Sequence, residues 1–149
     1  MTDAAEPRSQ TAYQVRFDWG LAGAAAVEVE ADVVAWVDEL DAAAGPNDTR
    51  PASAAKAGEF ARWCLDRQVE LGGRFRIAVV AAGVVLSDGS LRFAVEDLLG
   101  AGAVIDALAE LGIDHQSPEA AAAAAAYTGL RNATRHLMNA SVSARELRA

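Results

Sequence analysis

Two apolar runs constrain the fold of this chain more than any other feature. Residues 32–37 read DVVAWV and residues 75–82 read FRIAVVAA. Runs of this length, rich in valine and alanine, are typical of strands that are buried on both faces of a parallel sheet. Segments of helical character alternate with them. The pattern therefore predicts an α/β fold of three layers, α/β/α, around a small sheet that is mainly parallel or mixed.

Local signals predict the remaining elements. We expect further strands at residues 12–17, 84–86 and 91–93, and helices at residues 20–27, 54–71, 95–111 and 117–138. Ser117 followed by Pro118 is a strong helix start. Gly129 is a weak point in the helix that begins there, and Ser141 or Ser143 can cap a final helical fragment.

The chain length favours a single domain. A sequence of 149 residues can bury one hydrophobic core and is short for two. Residues 1–11 form a polar leader that we expect to be disordered, and residues 12–149 form the domain. Within it, residues 41–52 contain two prolines and a Pro-Asn-Asp turn signal. They are predicted to form a loop.

Charge and cysteine content exclude several classes of protein. The formal net charge is −8, so the attraction that draws basic proteins to nucleic acid is missing. Cys64 is the only cysteine, which excludes an intramolecular disulfide and a cysteine-built metal site. The first residues lack the pattern of a secretory signal, and no apolar run is long enough to span a bilayer. We expect a soluble cytoplasmic protein that binds neither nucleic acid nor membrane.

Acidic residues are the candidates for chemistry. Asp38 follows the apolar run of residues 32–37, and Glu96 and Asp97 lie in the first turn of the helix expected at 95–111. Carboxylates at strand ends and a helix start can converge on a Mg²⁺ ion. The same acids could instead favour the helix dipole or remain solvated in a loop. Both interpretations stay open. His115 and His136 are isolated, and no nucleophile elbow, phosphate-binding loop or HExxH motif is present.

Two glycines stand inside the same expected helix. Gly100 and Gly102 each cost about 1 kcal/mol relative to alanine at a helical position. A chain that uses alanine freely elsewhere must have another reason to place glycine there. Either another segment of backbone packs closely against this turn, or a ligand does.

Three blocks of sequence, taken together, resemble a known family. The blocks are RFDWG (residues 16–20), VDEL (37–40) and DGSLRFAVEDLLGAGAVIDAL (88–108). They are similar to the 2-phosphosulfolactate phosphatases in their actinobacterial form, and the SPEA and SARELRA segments near the carboxyl terminus are also similar. The resemblance implies a Mg²⁺-dependent phosphatase of α/β/α layers. Such an enzyme releases phosphate from 2-phosphosulfolactate, a small anionic phosphoester, to give sulfolactate, a step linked to coenzyme M biosynthesis.

The resemblance also assigns roles to individual residues. It implies that Asp38, Glu96 and Asp97 handle the metal and the catalysis, with Gly100 and Gly102 near the substrate. The family's central section is missing near residues 41–52, and so is its carboxyl-terminal continuation. Arg74, Arg76 and Arg92 are the only local substitutes for cationic phosphate ligands. The alternative is a shortened, non-catalytic relative that serves as a scaffold or interaction protein and forms homo-oligomers through apolar surface left uncovered.

Overall fold

The central sheet of the protein contains four parallel strands. A computed structural model describes residues 6–41 and 45–149. The strands are β1 (Val15–Trp19), β2 (Val33–Val37), β3 (Arg50–Ala52) and β4 (Ile77–Ala81), in the spatial order β1-β4-β2-β3. In register, Val79 of β4 lies opposite Phe17 of β1 and Ala35 of β2. Because all four strands run in the same direction, their carboxyl ends meet along one edge of the sheet.

Helices cover both faces of this sheet. Strand β4 lies between β1 and β2, and all five of its residues are buried. Its side chains alternate between the faces. Ala78 and Val80 pack with Ala24 and Val27 of helix α1 (Gly20–Val27). The residues between them face the other layer, which contains α2 (Ala57–Leu71), α3 (Val95–Glu110) and α4 (Pro118–Gly129). The predicted three-layer α/β/α fold is confirmed.

The smaller elements complete the chain. Strands β5 (Val84–Val85) and β6 (Leu91–Arg92) form an antiparallel hairpin, as expected from the Asp-Gly turn between them. The helix predicted over 117–138 ends at Gly129, and a short turn separates it from α5 (Thr134–Ala140) and α6 (Val142–Arg148). Both serine caps have formed, since Ser117 Oγ accepts the N–H of Ala120 and Ser141 Oγ accepts that of Ala144, each at 3.1 Å.

Two segments contain structure that was not expected: part of the predicted loop at residues 41–52 and part of the leader at residues 1–11. Within the predicted loop, Arg50–Ala52 forms the edge strand β3 beside β2, and residues 42–44 lie outside the described residues. The loop prediction is therefore wrong for these three residues. Pro51 is tolerated there because an edge strand has one side free of hydrogen-bonding partners.

The predicted disorder of the leader is likewise wrong for residues 6–11, while residues 1–5 lie outside the described part. A short 3₁₀ turn spans Pro7–Ser9. The Gln10 side-chain amide then donates to the Phe17 carbonyl at 2.7 Å and accepts the Phe17 N–H at 3.0 Å. These two bonds satisfy backbone groups on the free edge of β1 and hold the leader against the sheet. None of the helices in the described ranges has both the length and the apolar character needed to cross a bilayer.

Candidate acidic site at the carboxyl edge of the sheet

The three acids singled out in the sequence line one pocket. Asp38 follows the last residue of β2, and Glu96 and Asp97 begin α3, which starts beside the carboxyl edge of the sheet. Together they border a cavity of about 260 Å³. Asp41 and Glu146 border the same cavity, so five acidic residues line it. This convergence was expected for three of them and not for Glu146, which comes from the last helix.

Asp97 connects three elements of the fold. Its side chain is almost fully buried, Oδ1 accepts the N–H of Glu39 at 2.9 Å, and Oδ2 accepts the N–H of Gly83 at 3.0 Å. The carboxylate therefore ties the ends of β2 and β4 to the start of α3. Burial raises the pKa of Asp97 to about 7, with further increase from the charges of Asp38 and Glu96, while the two amide hydrogen bonds act in the opposite direction.

Glu96 is buried without a complete set of partners. The residue is 2% exposed, and its Oε2 atom has no hydrogen-bond partner among the described residues. A buried carboxylate oxygen without a partner is costly, and native structures contain few of them. Its place in the first turn of α3 also puts the charge at the positive end of the helix dipole. The helix dipole therefore accounts for a negative charge at this position, but it does not give Glu96 Oε2 a hydrogen-bond partner.

Asp38 is the more accessible member of the group. It is partly exposed and lies where β2 gives way to a turn. Burial raises its pKa above the usual value, and the nearby charges of Asp41 and Glu96 raise it further. A carboxylate with a raised pKa is a stronger base than an ordinary aspartate.

The arrangement limits how a metal ion could be held. Among the described residues, no three His, Cys, Asp or Glu side chains are arranged to hold one metal ion together. Both oxygens of Asp97 already accept backbone N–H groups. The carboxylates of Asp38 and Glu96 remain. Two carboxylates are sufficient for Mg²⁺, which keeps several water ligands and often takes others from substrate phosphate.

The structure shows why glycine stands at two positions inside α3. A β carbon on Gly100 would collide with the Glu39 side chain, whose Oε1 accepts the Ala54 N–H at 2.7 Å. A β carbon on Gly102 would collide with the carbonyl oxygen of Ala123 in α4. The space beside each glycine is therefore occupied by other atoms of the protein. Close packing between segments therefore explains both glycines, and contact of Gly100 and Gly102 with a substrate stays a prediction.

Of the three candidate phosphate-binding arginines, only Arg92 lies near the acidic pocket. Arg74 and Arg76 precede β4 and therefore lie at the opposite edge of the sheet. Arg92 Nη2 donates to Ser143 Oγ at 2.9 Å and lies 3.5 Å from Glu146 Oε2. Ser143 and Glu146 both border the pocket. No local signal predicts that α6 reaches this site, because the position of α6 depends on the packing of the preceding helices.

Comparison of the chain with models of known families, with curated proteins and with solved structures found no match. The resemblance to 2-phosphosulfolactate phosphatases therefore stays a prediction from the sequence blocks.

Proposed function

We propose that this protein is a cytoplasmic Mg²⁺-dependent phosphatase that hydrolyses a small anionic phosphoester. The resemblance implies 2-phosphosulfolactate as the substrate, with sulfolactate and phosphate as products. The observation that carries the proposal is the buried Oε2 atom of Glu96, which has no partner in the described residues, in a residue that borders the same pocket as Asp38. In native proteins such an atom is satisfied by an ordered water, an ion or a ligand, or has a catalytic role.

The available donors fit Mg²⁺. Carboxylate oxygens are the hard ligands that this ion prefers, and Asp38 and Glu96 are the residues that would hold it. When bound, the ion supplies neutralisation of phosphate charge and a template that orients substrate and water.

Other residues of the chain would support the reaction. One acid of the pocket would accept a proton from the attacking water. Asp97 acts as a positioning residue, because it fixes the start of α3 against the ends of β2 and β4. Arg92 does not itself border the pocket, but its guanidinium pairs with Ser143 and Glu146, which do, and would supply positive charge near the anionic substrate.

Phosphate release from 2-phosphosulfolactate tests this proposal. The wild-type protein should require Mg²⁺ and lose activity on chelation. Glu96→Gln should reduce kcat/KM about 100-fold or more, as expected when a charged group at a metal-dependent site is neutralised. The matched control is Glu110→Gln, which changes an exposed acid at the far end of the same helix and should leave kcat/KM unchanged. Activity that is indifferent to both Mg²⁺ and Glu96→Gln would refute the proposal.

Exposed apolar residues favour a second candidate, a non-catalytic relative that associates with itself. Leu21, Val85, Leu91 and Phe93 are all large and exposed, at 65%, 69%, 41% and 58% respectively. They lie near the carboxyl edge of the sheet, and exposed apolar patches often mark interaction surfaces. Sedimentation should then give a dimer or larger species that Val85→Glu dissociates. A clean monomer with measurable phosphate release would count against this candidate.

A further inference from the structure

A second, larger cavity opens beside the acidic pocket. Its volume is about 720 Å³, and its walls contain two tryptophans, Trp19 and Trp36, together with aliphatic side chains such as Leu21 and Val85. Cavities of several hundred Å³ with apolar, aromatic walls are typical ligand sites, and the carboxyl ends of parallel strands are where such sites form. None of the residues assigned to phosphate chemistry, apart from Asp38, borders this cavity.

Asp38 connects the two cavities. Asp38 and Gly83 border both of them. Asp38 is also the only charged residue among the described residues that border the larger cavity. A single carboxylate therefore lies at one end of an otherwise apolar and aromatic chamber.

The electrostatic environment favours a positive ligand. No lysine or arginine of the described part borders either cavity, while the smaller one adds the carboxylates of Asp41, Glu96 and Glu146 to that of Asp38. The formal net charge of the chain is −8. Clefts with charges of one sign and low-dielectric walls concentrate the field, so the large cavity presents a negative potential to its occupant.

The walls complement a cation that has an apolar body. The tryptophan and aliphatic side chains favour an apolar body, and the Asp38 carboxylate favours a positive charge.

We propose that the larger cavity binds a protonated organic amine, with its ammonium group at Asp38 and its apolar body between the tryptophans and the hairpin β5–β6. The proposal does not depend on the phosphatase reaction, although the two share Asp38. An amine at this position and a metal ion held by Asp38 would exclude one another.

Binding of small probes in the absence of Mg²⁺ and of any phosphoester substrate tests the proposal. The probes are phenethylammonium and benzyltrimethylammonium as cations, benzyl alcohol as a neutral compound and phenyl phosphate as an anion. Quenching of tryptophan fluorescence reports occupancy next to Trp19 and Trp36, and calorimetry gives the affinity. We expect both cations to bind at least about 10-fold more tightly than benzyl alcohol, with phenyl phosphate the weakest.

Variants separate the charge effect from the apolar cavity. Asp38→Asn should reduce the affinity for both cations to that of benzyl alcohol, while Asp66→Asn, which changes an exposed acid on α2, should have no effect. Equal affinity for cations and benzyl alcohol in the wild type would overturn the proposal, as would a preference for phenyl phosphate. Failure of every probe to bind, together with a dimer that buries this edge, would assign the cavity to a second copy of the chain. Because no turnover is measured, these outcomes are independent of whether phosphate is released in the assay described above.

Discussion

Polar groups are paired differently where the four strands begin, which we call the amino edge, and where they end, the carboxyl edge. At the amino edge, Asp32 Oδ2 accepts the backbone N–H of Arg76 at 2.7 Å, and the Arg76 guanidinium lies 3.4 Å from Glu30. Close by, the Gln14 amide donates to Gln68 at 2.6 Å and to the Phe75 carbonyl at 2.9 Å. The two acids there have partners, whereas the buried group without a partner is a donor, Arg16 Nη2, which bonds to nothing among the described residues.

At the carboxyl edge, acidic side chains outnumber the groups that could pair with them. Five acidic residues line one small pocket, Glu96 Oε2 has no partner among the described residues, and burial raises the pKa values of Asp38 and Asp97. Unmatched buried charge costs stability. The two edges therefore differ in which buried group lacks a partner: a carboxylate oxygen of Glu96 at the carboxyl edge and a guanidinium nitrogen of Arg16 at the amino edge.

The largest expected effect is a pH dependence of stability that originates at the carboxyl edge. The folded state holds the Asp97 proton up to about pH 7, whereas the ordinary pKa is 3.8. The folded state therefore binds more protons than the unfolded chain between these values, and stability falls as the pH rises from about 4 to about 7. Because this shift spans roughly three pKa units, Asp97 contributes at most about 4 kcal/mol to the fall.

Urea unfolding across this pH range measures the effect. Asp97→Asn should flatten the slope, because the titrating group is gone. Asp32→Asn, at the amino edge, should keep the wild-type slope. A wild-type stability that is constant or rises between about pH 4 and 7, or an unchanged slope in Asp97→Asn, would break the comparison between the edges.

The next effect concerns the packing that places α3 at the carboxyl edge. Gly102→Ala puts a methyl group against the Ala123 carbonyl of α4, so the two helices must separate. We expect the free energy of unfolding to fall by about 1–3 kcal/mol. Gly129→Ala is the control, since nothing lies within 4 Å of a β carbon there. This control should be neutral or more stable by up to about 1 kcal/mol. Equal behaviour of the two variants would mean that the close approach of α3 and α4 is not required.

The smallest effect compares one acid from each edge. Glu96→Gln removes a buried charge whose Oε2 lacks a partner, and it should raise the free energy of unfolding by about 1 kcal/mol in the absence of metal. Glu30→Gln breaks an exposed ion pair with Arg76, in which both side chains are about half exposed or more, and should lower it by less than about 0.5 kcal/mol. Thermal and urea unfolding at neutral pH give both values. The comparison would be weakened if Glu96→Gln were the more destabilising change.

Local signals explain which parts of the fold were predictable. The buried runs that became β2 and β4, the Ser117 cap and the start of α3 depend on neighbouring residues, and each was predicted near its observed position. Strand β3 was missed because three residues containing Pro51 have no strand pattern of their own and pair only because β2 offers a free edge. The leader was missed for a related reason, since Gln10 is held by the distant Phe17.

The site was predictable only in part. The chain direction of a parallel sheet places Asp38 near the first turn of α3, so the convergence of these acids could be inferred from the sequence. Which atoms would be satisfied could not be inferred. The hydrogen bonds of Asp97 to Glu39 and Gly83, the packing of Glu39 on Gly100 and the approach of Glu146 all depend on tertiary geometry.

Binding of Mg²⁺ to the protein tests most directly whether the unmatched acids of the carboxyl edge form an ion site. At a Mg²⁺ concentration about ten times the dissociation constant, a single site should stabilise the wild-type protein by about 1.4 kcal/mol, measured by urea unfolding at neutral pH. Glu30→Gln should respond as the wild type does, and Glu96→Gln should not respond. A wild-type protein that is indifferent to Mg²⁺, or a Glu96→Gln variant that is stabilised equally, would contradict the account.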